Sequence, residues 1–147
     1  MKPSTTQKKI RKESIHAFLL ESPKGFLIQK PLGKGLLGNC YQLPLSPEPL
    51  EQSKGRSALK VLTGASFIQR YSGRVESVTP IRIILSKPFR PIKGYQWIKA
   101  SQWGKMALGV RDRKVVGHHT EMQKSVRVSR KGLTKFIQSL SSEPLDL

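Results

Sequence analysis

Glycine and proline recur along the whole chain and limit how long any helix or strand can be. The 147 residues include 12 Gly and 10 Pro. Glycine weakens the interiors of helices and strands, and proline removes a backbone donor from them. The sequence therefore predicts many short elements and disfavours a bundle of long helices. The chain length corresponds to one domain, which is large enough to bury a substantial core.

Strand patterns dominate the chain up to residue 99. Residues 14–30 are predicted to form a β-hairpin around the turn Ser22-Pro23-Lys24-Gly25, and its first strand is apolar on both faces. Residues 57–62 could form a helix or a strand, and the pattern favours a helix. Further strands are expected at 66–70, 74–78, 81–85 and 95–99.

Helical spacing begins after residue 100. Residues 110–119 are a candidate basic helix with Val110, Val115 and Val116 as its apolar side. Residues 130–140 place four large apolar side chains at helical spacing, directly after a serine at position 129 that can cap the helix. Short strands followed by helices predict an α+β fold.

The two ends of the chain are polar. Residues 1–12 carry five Lys or Arg, which predicts a mobile basic segment without the apolar core of a secretory signal. This segment could hold phosphates as a basic arm, or it could be a linker from a larger protein. We expect residues 1–13 to form a basic tail or linker, residues 14–140 the domain, and residues 141–147 a second tail.

The charge balance points to a polyanionic partner. Lys and Arg number 27 against 9 Asp and Glu, so the formal net charge is +18. A surface of this kind gains free energy by neutralising phosphates and releasing their counterions, which indicates nucleic acid. Anionic lipid is the alternative. No apolar stretch approaches the length of a membrane span, so we expect no membrane partner and a cytoplasmic location.

Residues that could carry catalysis are sparse. The nine carboxylates are spread thinly, and no nucleotide-binding loop motif is present. Cys40 could be grouped with His16, His118 and His119, but a small buried thiol is the favoured interpretation. A single cysteine excludes an internal disulfide and a cysteine-based zinc site. We therefore assign no catalytic, cofactor-binding or metal-binding residues.

One stretch combines apolar, basic and glycine residues. Residues 26–28 are apolar, and the turn that follows holds Lys30 and Lys34 among glycines. Accessible backbone N–H groups beside positive charge suit a phosphate or a base edge. The alternative is an ordinary hairpin with solvated lysines.

Residues 26–44 resemble the opening of the C-terminal domain of bacterial adenine DNA glycosylase, the MutY family. Residues 95–109 are similar to that family's W-V-x-x-x-E-L-x-x-L-A-L-P segment, and residues 111–116 are similar to the basic helix after it. The resemblance covers residues 14–118. In the first segment, the residues that match the family's GLL-x-G-x-W/Y-E-F-P-like motif are Gly35, Leu36, Leu37, Gly38, Tyr41, Leu43 and Pro44.

The resemblance implies a Nudix-like mixed β-sheet with flanking helices, in a non-catalytic domain that recognises 8-oxoguanine opposite adenine in base excision repair. This chain has no RE-x-x-EE-like acidic helix that could hold magnesium. The implied partners are duplex DNA and a glycosylase catalytic domain. No cofactor is expected in this chain, because an iron–sulfur cluster would belong to that catalytic domain.

The resemblance and the basic residues together predict a DNA-binding set. Where the family carries a Phe-Ser-His loop, this chain has Val78-Thr79-Pro80, and the Thr79 hydroxyl is the candidate base contact. Two alternatives remain: a basic RNA- or ribosome-binding protein without lesion specificity, and an active nucleotide pyrophosphatase, which the missing acidic helix disfavours. The predicted DNA-binding residues are Lys30, Lys34, Arg74, Thr79, Arg82, Arg111, Arg113 and Lys114.

Overall fold

The computed structural model describes residues 10–33, 39–56 and 58–145. These residues form one mixed sheet of eight strands with an α-helix on each face. The strands are β1 Arg11–Ser22, β2 Gly25–Gln29, β3 Leu45–Ser46, β4 Leu59–Thr63, β5 Phe67–Tyr71, β6 Arg74–Ile84, β7 Tyr95–Ile98 and β8 Lys124–Val128. The helices are α1 Val110–Gly117 and α2 Arg130–Gln138, with short 3-10 helices at Ala100–Lys105 and His119–Glu121.

The two longest strands lie side by side at the centre of the sheet. β1 and β6 run parallel, in register from Arg11 opposite Arg74 to Glu21 opposite Ile84. The other named strand pairs are antiparallel, and the order across the sheet is β7-β2-β1-β6-β4-β8. β3 pairs with β1, and β5 pairs with the first half of β6. The expected α+β architecture with a mixed sheet is confirmed.

The alternation of side chains along the central strands creates two apolar clusters. On one face, Phe18 and Leu20 of β1 pack with residues of α2 such as Leu133. On the other face, Ala17 and Leu19 pack in the cluster that includes Val115 of α1. Successive strand residues point to opposite faces, so an uninterrupted apolar run fills both clusters, as the sequence predicts for the first strand.

Several predicted elements are confirmed. The hairpin pairs Glu21 with Phe26 across its turn, and Gly25 has a φ of 114°, a conformation that suits glycine. β5 and β6 form the second predicted pair. α2 begins after Ser129, whose hydroxyl accepts a hydrogen bond from the Gly132 backbone N–H at 3.2 Å. α1 lies within the predicted range, although Val110 is 59% exposed and only Val115 of the expected apolar side is buried.

Three predictions about the sheet are wrong or incomplete. The helix favoured at 57–62 is not formed, because β4 lies between β6 and β8 and buries Val61 in the core. The strand β8 has no counterpart among the predicted elements. The expected loop Val78-Thr79-Pro80 lies inside β6, with Val78 and Pro80 buried. Pro80 occupies the point where β6 changes its antiparallel neighbour from β5 to β4, and such an interruption tolerates a residue without an N–H.

The ends of the described chain join the fold. β1 begins at Arg11, and its N–H donates to the Gly73 carbonyl. Ser141 is buried and bridges to Pro91, and the Ser142 N–H donates to the Arg90 carbonyl at 2.8 Å. The division into a domain at 14–140 and two tails stays a prediction. Within the described residues, no helix is long and apolar enough to cross a membrane.

Candidate nucleic-acid interface

A buried ion-pair cluster fastens α1 to the sheet. Arg111 is 2% exposed, and its Nη1 lies 3.1 Å from Oε1 of Glu76, which is fully buried on β6. Its Nε donates to Oδ1 of Asp112 at 3.0 Å. The second oxygen of Asp112 accepts the Leu43 backbone N–H at 3.1 Å. Because these contacts connect the helix, β6 and the segment before β3, the cluster fixes the position of the helix on the sheet.

The electrostatics of the cluster follow from its burial. Burial raises the pKa of Asp112, although the Arg111 guanidinium opposes this shift. Burial lowers the pKa of Arg111, but the nearby carboxylates outweigh that effect and the net shift is upward. Burial also raises the pKa of the neighbouring Tyr71 phenol from 10.0 to about 12. The Arg111 guanidinium therefore stays charged, and its charge pairs with Glu76 and Asp112 inside the fold.

The burial of Arg111 contradicts its prediction as a DNA contact. A side chain with 2% exposure and two ion pairs has no face to offer to a phosphate. The sequence placed it on a basic helix beside two further cations, and no local signal distinguishes the three. Its partner Glu76 lies 35 positions away in the chain, and sequence reasoning missed it.

Two other predicted cations are also held by carboxylates. Arg74 lies 3.5 Å from Glu76 and has its guanidinium over the Tyr71 ring, and its side chain is 26% exposed. Arg82 lies 2.9 Å from Glu21 and is 20% exposed. Both side chains reach solvent, but each already has a carboxylate partner that partly neutralises its charge.

Three predicted cations are exposed and form no ion pair with any described residue. Lys30 follows β2, where its backbone N–H donates to the Gly94 carbonyl. Arg113 and Lys114 are consecutive on the outer side of α1. Arg113 Nε donates to the Leu108 carbonyl at 3.0 Å, and Lys114 Nζ donates to Gln69 Oε1 at 3.0 Å. These neutral contacts orient the cations without cancelling their charge. Lys34 lies outside the described residues.

Thr79 lies apart from these cations. Its neighbour Val78 packs in the cluster beneath α1, so the Thr79 side chain is on the opposite face of β6. The Thr79 hydroxyl lies 2.9 Å from that of Ser66 and hydrogen-bonds to it. The structure therefore does not bring Thr79 together with Arg113 and Lys114 on one face.

A pocket of about 400 Å³ adjoins Lys114. Phe67, Pro80, Val115 and Met122 contribute apolar walls, and Ser66 and His118 are among its polar residues. Lys114 Nζ lies 5.4 Å from the centre of the Phe67 ring, within cation–π range. An aromatic wall beside a cation suits a nucleotide. Phe67 carries no sequence signal of a binding role, because the pattern of β5 is that of an ordinary strand.

No metal centre is formed by the described residues, which contain no group of three or more His, Cys, Asp or Glu able to hold an ion. Cys40 is partly exposed and forms no disulfide. The described residues between β3 and β4 form no helix. The described α1 side of the sheet therefore offers basic, amide, hydroxyl and aromatic groups, together with the Glu121 carboxylate, which lines the same pocket as Lys114 and lies 3.1 Å from His118.

Comparison with known proteins identifies the fold of the chain but shows no family for it. No family model matches the chain, and no curated protein matches it in sequence. The C-terminal domain of mouse MUTYH, solved in complex with human PCNA, is similar with a TM-score of 0.60 and 15% identity, over 76% of this chain and 89% of that one.

Two Nudix structures are also similar. A MutT protein from Methanosarcina mazei matches with a TM-score of 0.55 and 11% identity, over 79% of this chain and 97% of that one. The NUDIX domain of Shewanella oneidensis NrtR, solved with ADP ribose, matches with a TM-score of 0.51 and 10% identity, over 81% and 91%. The chain thus has a Nudix-like fold, as the sequence resemblance implied.

Proposed function

We propose that this chain is a non-catalytic, Nudix-like domain that binds duplex DNA on the α1 side of its sheet. The duplex would be one that carries an 8-oxoguanine:adenine mispair, and a glycosylase catalytic domain would excise the adenine. The setting would be base excision repair in the cytoplasm. The observation that carries the proposal is the pair of exposed, unneutralised cations, Arg113 and Lys114, on a helix that buried ion pairs hold in place.

The cations on α1 suit a phosphate backbone. The only described hydrogen-bond partners of the two side chains are a backbone carbonyl and a side-chain amide oxygen. A phosphate oxygen could bind beside these neutral partners or displace them, and either contact would add a charge-assisted hydrogen bond. The rigid attachment of α1 reduces the ordering that binding would require. Lys30 could extend the contact to the end of β2. Arg111 would act only as a positioning residue.

The likeness to the MUTYH C-terminal domain supports the choice of DNA repair. It agrees with the MutY resemblance of residues 14–118, which rests independently on the order of sequence motifs. The base contacts would come from residues other than Thr79, because Thr79 faces away from α1. The pocket that Lys114 lines would supply such contacts, because it has the Phe67 ring and the Ser66 and His118 side chains among its lining.

The RNA-binding alternative rests on the same charge. Phosphate contacts alone do not distinguish the two polymers, and the net charge of +18 fits either one. Tighter binding to structured RNA than to duplex DNA at matched salt would favour this alternative.

The test compares the full chain with the double variant Arg113→Thr/Lys114→Thr over a salt series. The ligands are one duplex with 8-oxoguanine opposite adenine, the same duplex with guanine, and a structured RNA. We expect wild-type binding to duplex DNA, and a loss of about 1.8 from the slope of log K against log salt in the variant, since each phosphate contact contributes about 0.9.

A charge-matched control separates a local effect from the loss of net charge. Lys24→Thr/Lys87→Thr removes two exposed lysines outside the α1 face, and its slope should stay close to that of the wild type. Equal affinity for the two duplexes would refute recognition of 8-oxoguanine, but the proposed binding of duplex DNA on the α1 side would stand. Absence of duplex binding, or base release by this chain alone, would overturn the proposal.

A further inference from the structure

A second group of cations lies at the β8 edge of the sheet, and none of its members belongs to the predicted DNA-binding set. β8 is the last strand in the sheet order, and the chain covers it at one end only. There, Gln52 bridges to Val128, and the Ser53 N–H donates to the Arg127 carbonyl at 3.1 Å. The remainder of the strand, from Lys124 to Val126, has no strand beyond it among the described residues.

Two cations on this edge stand directly opposite each other. Lys60 of β4 is the register partner of Arg127 of β8, and both side chains are exposed. Like charges at directly opposed positions destabilise an antiparallel pair. Neither side chain forms an ion pair with a described residue, and the one described side-chain hydrogen bond of Arg127 is a 3.4 Å contact to the Gly55 carbonyl. Within the described part of the chain, no carboxylate offsets this repulsion by an ion pair with either side chain.

A groove adjoins Arg127 at this edge, and Lys60 is not among its lining residues. Its volume is about 530 Å³, and it runs between β8 and the segment that crosses it at residues 52–54. Lys54, Lys124 and Arg127 line the groove together with the hydroxyls of Ser53 and Ser125, and no carboxylate is among its lining residues. Cationic side chains and hydroxyl groups both donate hydrogen bonds, and phosphate oxygens accept them.

We infer that this edge-strand surface, formed by Lys54, Lys60, Lys124 and Arg127, is a second binding site for a phosphodiester backbone. A phosphate between Lys60 and Arg127 would turn their mutual repulsion into two attractions. The inference rests on the proposed binding of nucleic acid, but it uses no residue of α1 and none of the predicted DNA-binding set. Edge lysines can also serve only to block pairing with other sheets, and the test separates these two roles.

The test measures binding of the full chain to duplex DNA and to single-stranded RNA over a salt series. In Lys60→Thr/Arg127→Thr, the β-branched replacements keep strand propensity. We expect the slope of log K against log salt to fall by about 1.8 for duplex DNA and by about 1.4 for single-stranded RNA, for two lost phosphate contacts. Because the variant removes an opposed like-charge pair, its thermal unfolding temperature should equal or exceed that of the wild type.

Two further variants serve as controls. Lys60→Arg/Arg127→Lys keeps both charges and should keep the wild-type slope. Lys24→Thr/Lys87→Thr removes the same net charge elsewhere and should change the slope much less. If Lys60→Thr/Arg127→Thr behaves like this last control, the inference is overturned, and faster aggregation of the variant would identify the cations as protection of the edge.

The outcomes also separate this inference from the proposed function. A slope that falls for Lys60→Thr/Arg127→Thr but not for Arg113→Thr/Lys114→Thr would support the edge-strand surface and contradict the placement of DNA on α1. The reverse result would overturn the inference alone. A wild-type chain that binds neither polymer would overturn both.

Discussion

Arg111→Met tests the claim that the buried ion pairs hold α1 on the sheet. The substitution roughly preserves the length of the side chain but leaves Glu76, fully buried, and Asp112, 1% exposed, without their cation. Removing one partner of a buried pair costs about 3–5 kcal/mol. For a domain of this size, each kcal/mol lowers the melting temperature by about 2–4 °C, so we expect a decrease of about 6–20 °C. Urea unfolding measures the loss of free energy directly.

A second substitution checks the cause. Glu76→Gln neutralises one stranded carboxylate, so it should cost less in the Arg111→Met background than in the wild-type chain. Arg113→Met is the matched control, because it removes an exposed arginine from the same helix and should change stability by less than about 0.5 kcal/mol. If Arg111→Met also costs under about 1 kcal/mol, the cluster does not hold the helix and the reasoning is refuted.

Two other predictions follow from the turn of the hairpin and from the buried phenol. In Gly25→Ala, the new Cβ would meet the backbone oxygen of Ile98 at a φ of 114°, whereas in Gly73→Ala it would meet nothing within 4 Å at a φ of 76°. We expect a loss above about 3 kcal/mol for the first and about 1–2 kcal/mol for the second in urea unfolding, and equal losses would contradict the clash. The raised pKa of Tyr71, about 12 against 10.0, means that the unfolded chain ionises first. Stability should therefore fall as pH rises from 10 to 12, and less steeply in Tyr71→Phe; identical pH profiles would refute this.

Much of the sheet could be predicted because its signals are local. The turn at Gly25 and the apolar runs of β1 and β6 are all contained in short segments. β4 was mistaken for a helix because its strand state depends on neighbours far along the chain, which bury Val61 between β6 and β8. Tertiary packing overrides weak local preference in such segments.

The functional residues were harder to predict than the fold. Charge and helical spacing correctly placed Arg113 and Lys114 on the exposed side of a helix, but the same pattern included Arg111, which is buried. Which of three neighbouring cations turns inward is decided by Glu76, on a distant strand. Thr79 was placed by analogy with a family loop, while in this fold the position lies within a continuous strand.

The central claim is that DNA binds on the α1 face, and amide chemical shifts measured during a titration with a short duplex test it most directly. We expect the shifted resonances to cluster in residues 110–118 and in the adjoining residues 64–69, with a separate group at residues 124–127 from the edge-strand surface and smaller changes on α2. The salt dependence of these shifts should match that of the affinity. Shifts confined to α2, or no shifts at a duplex concentration that saturates binding, would contradict the account.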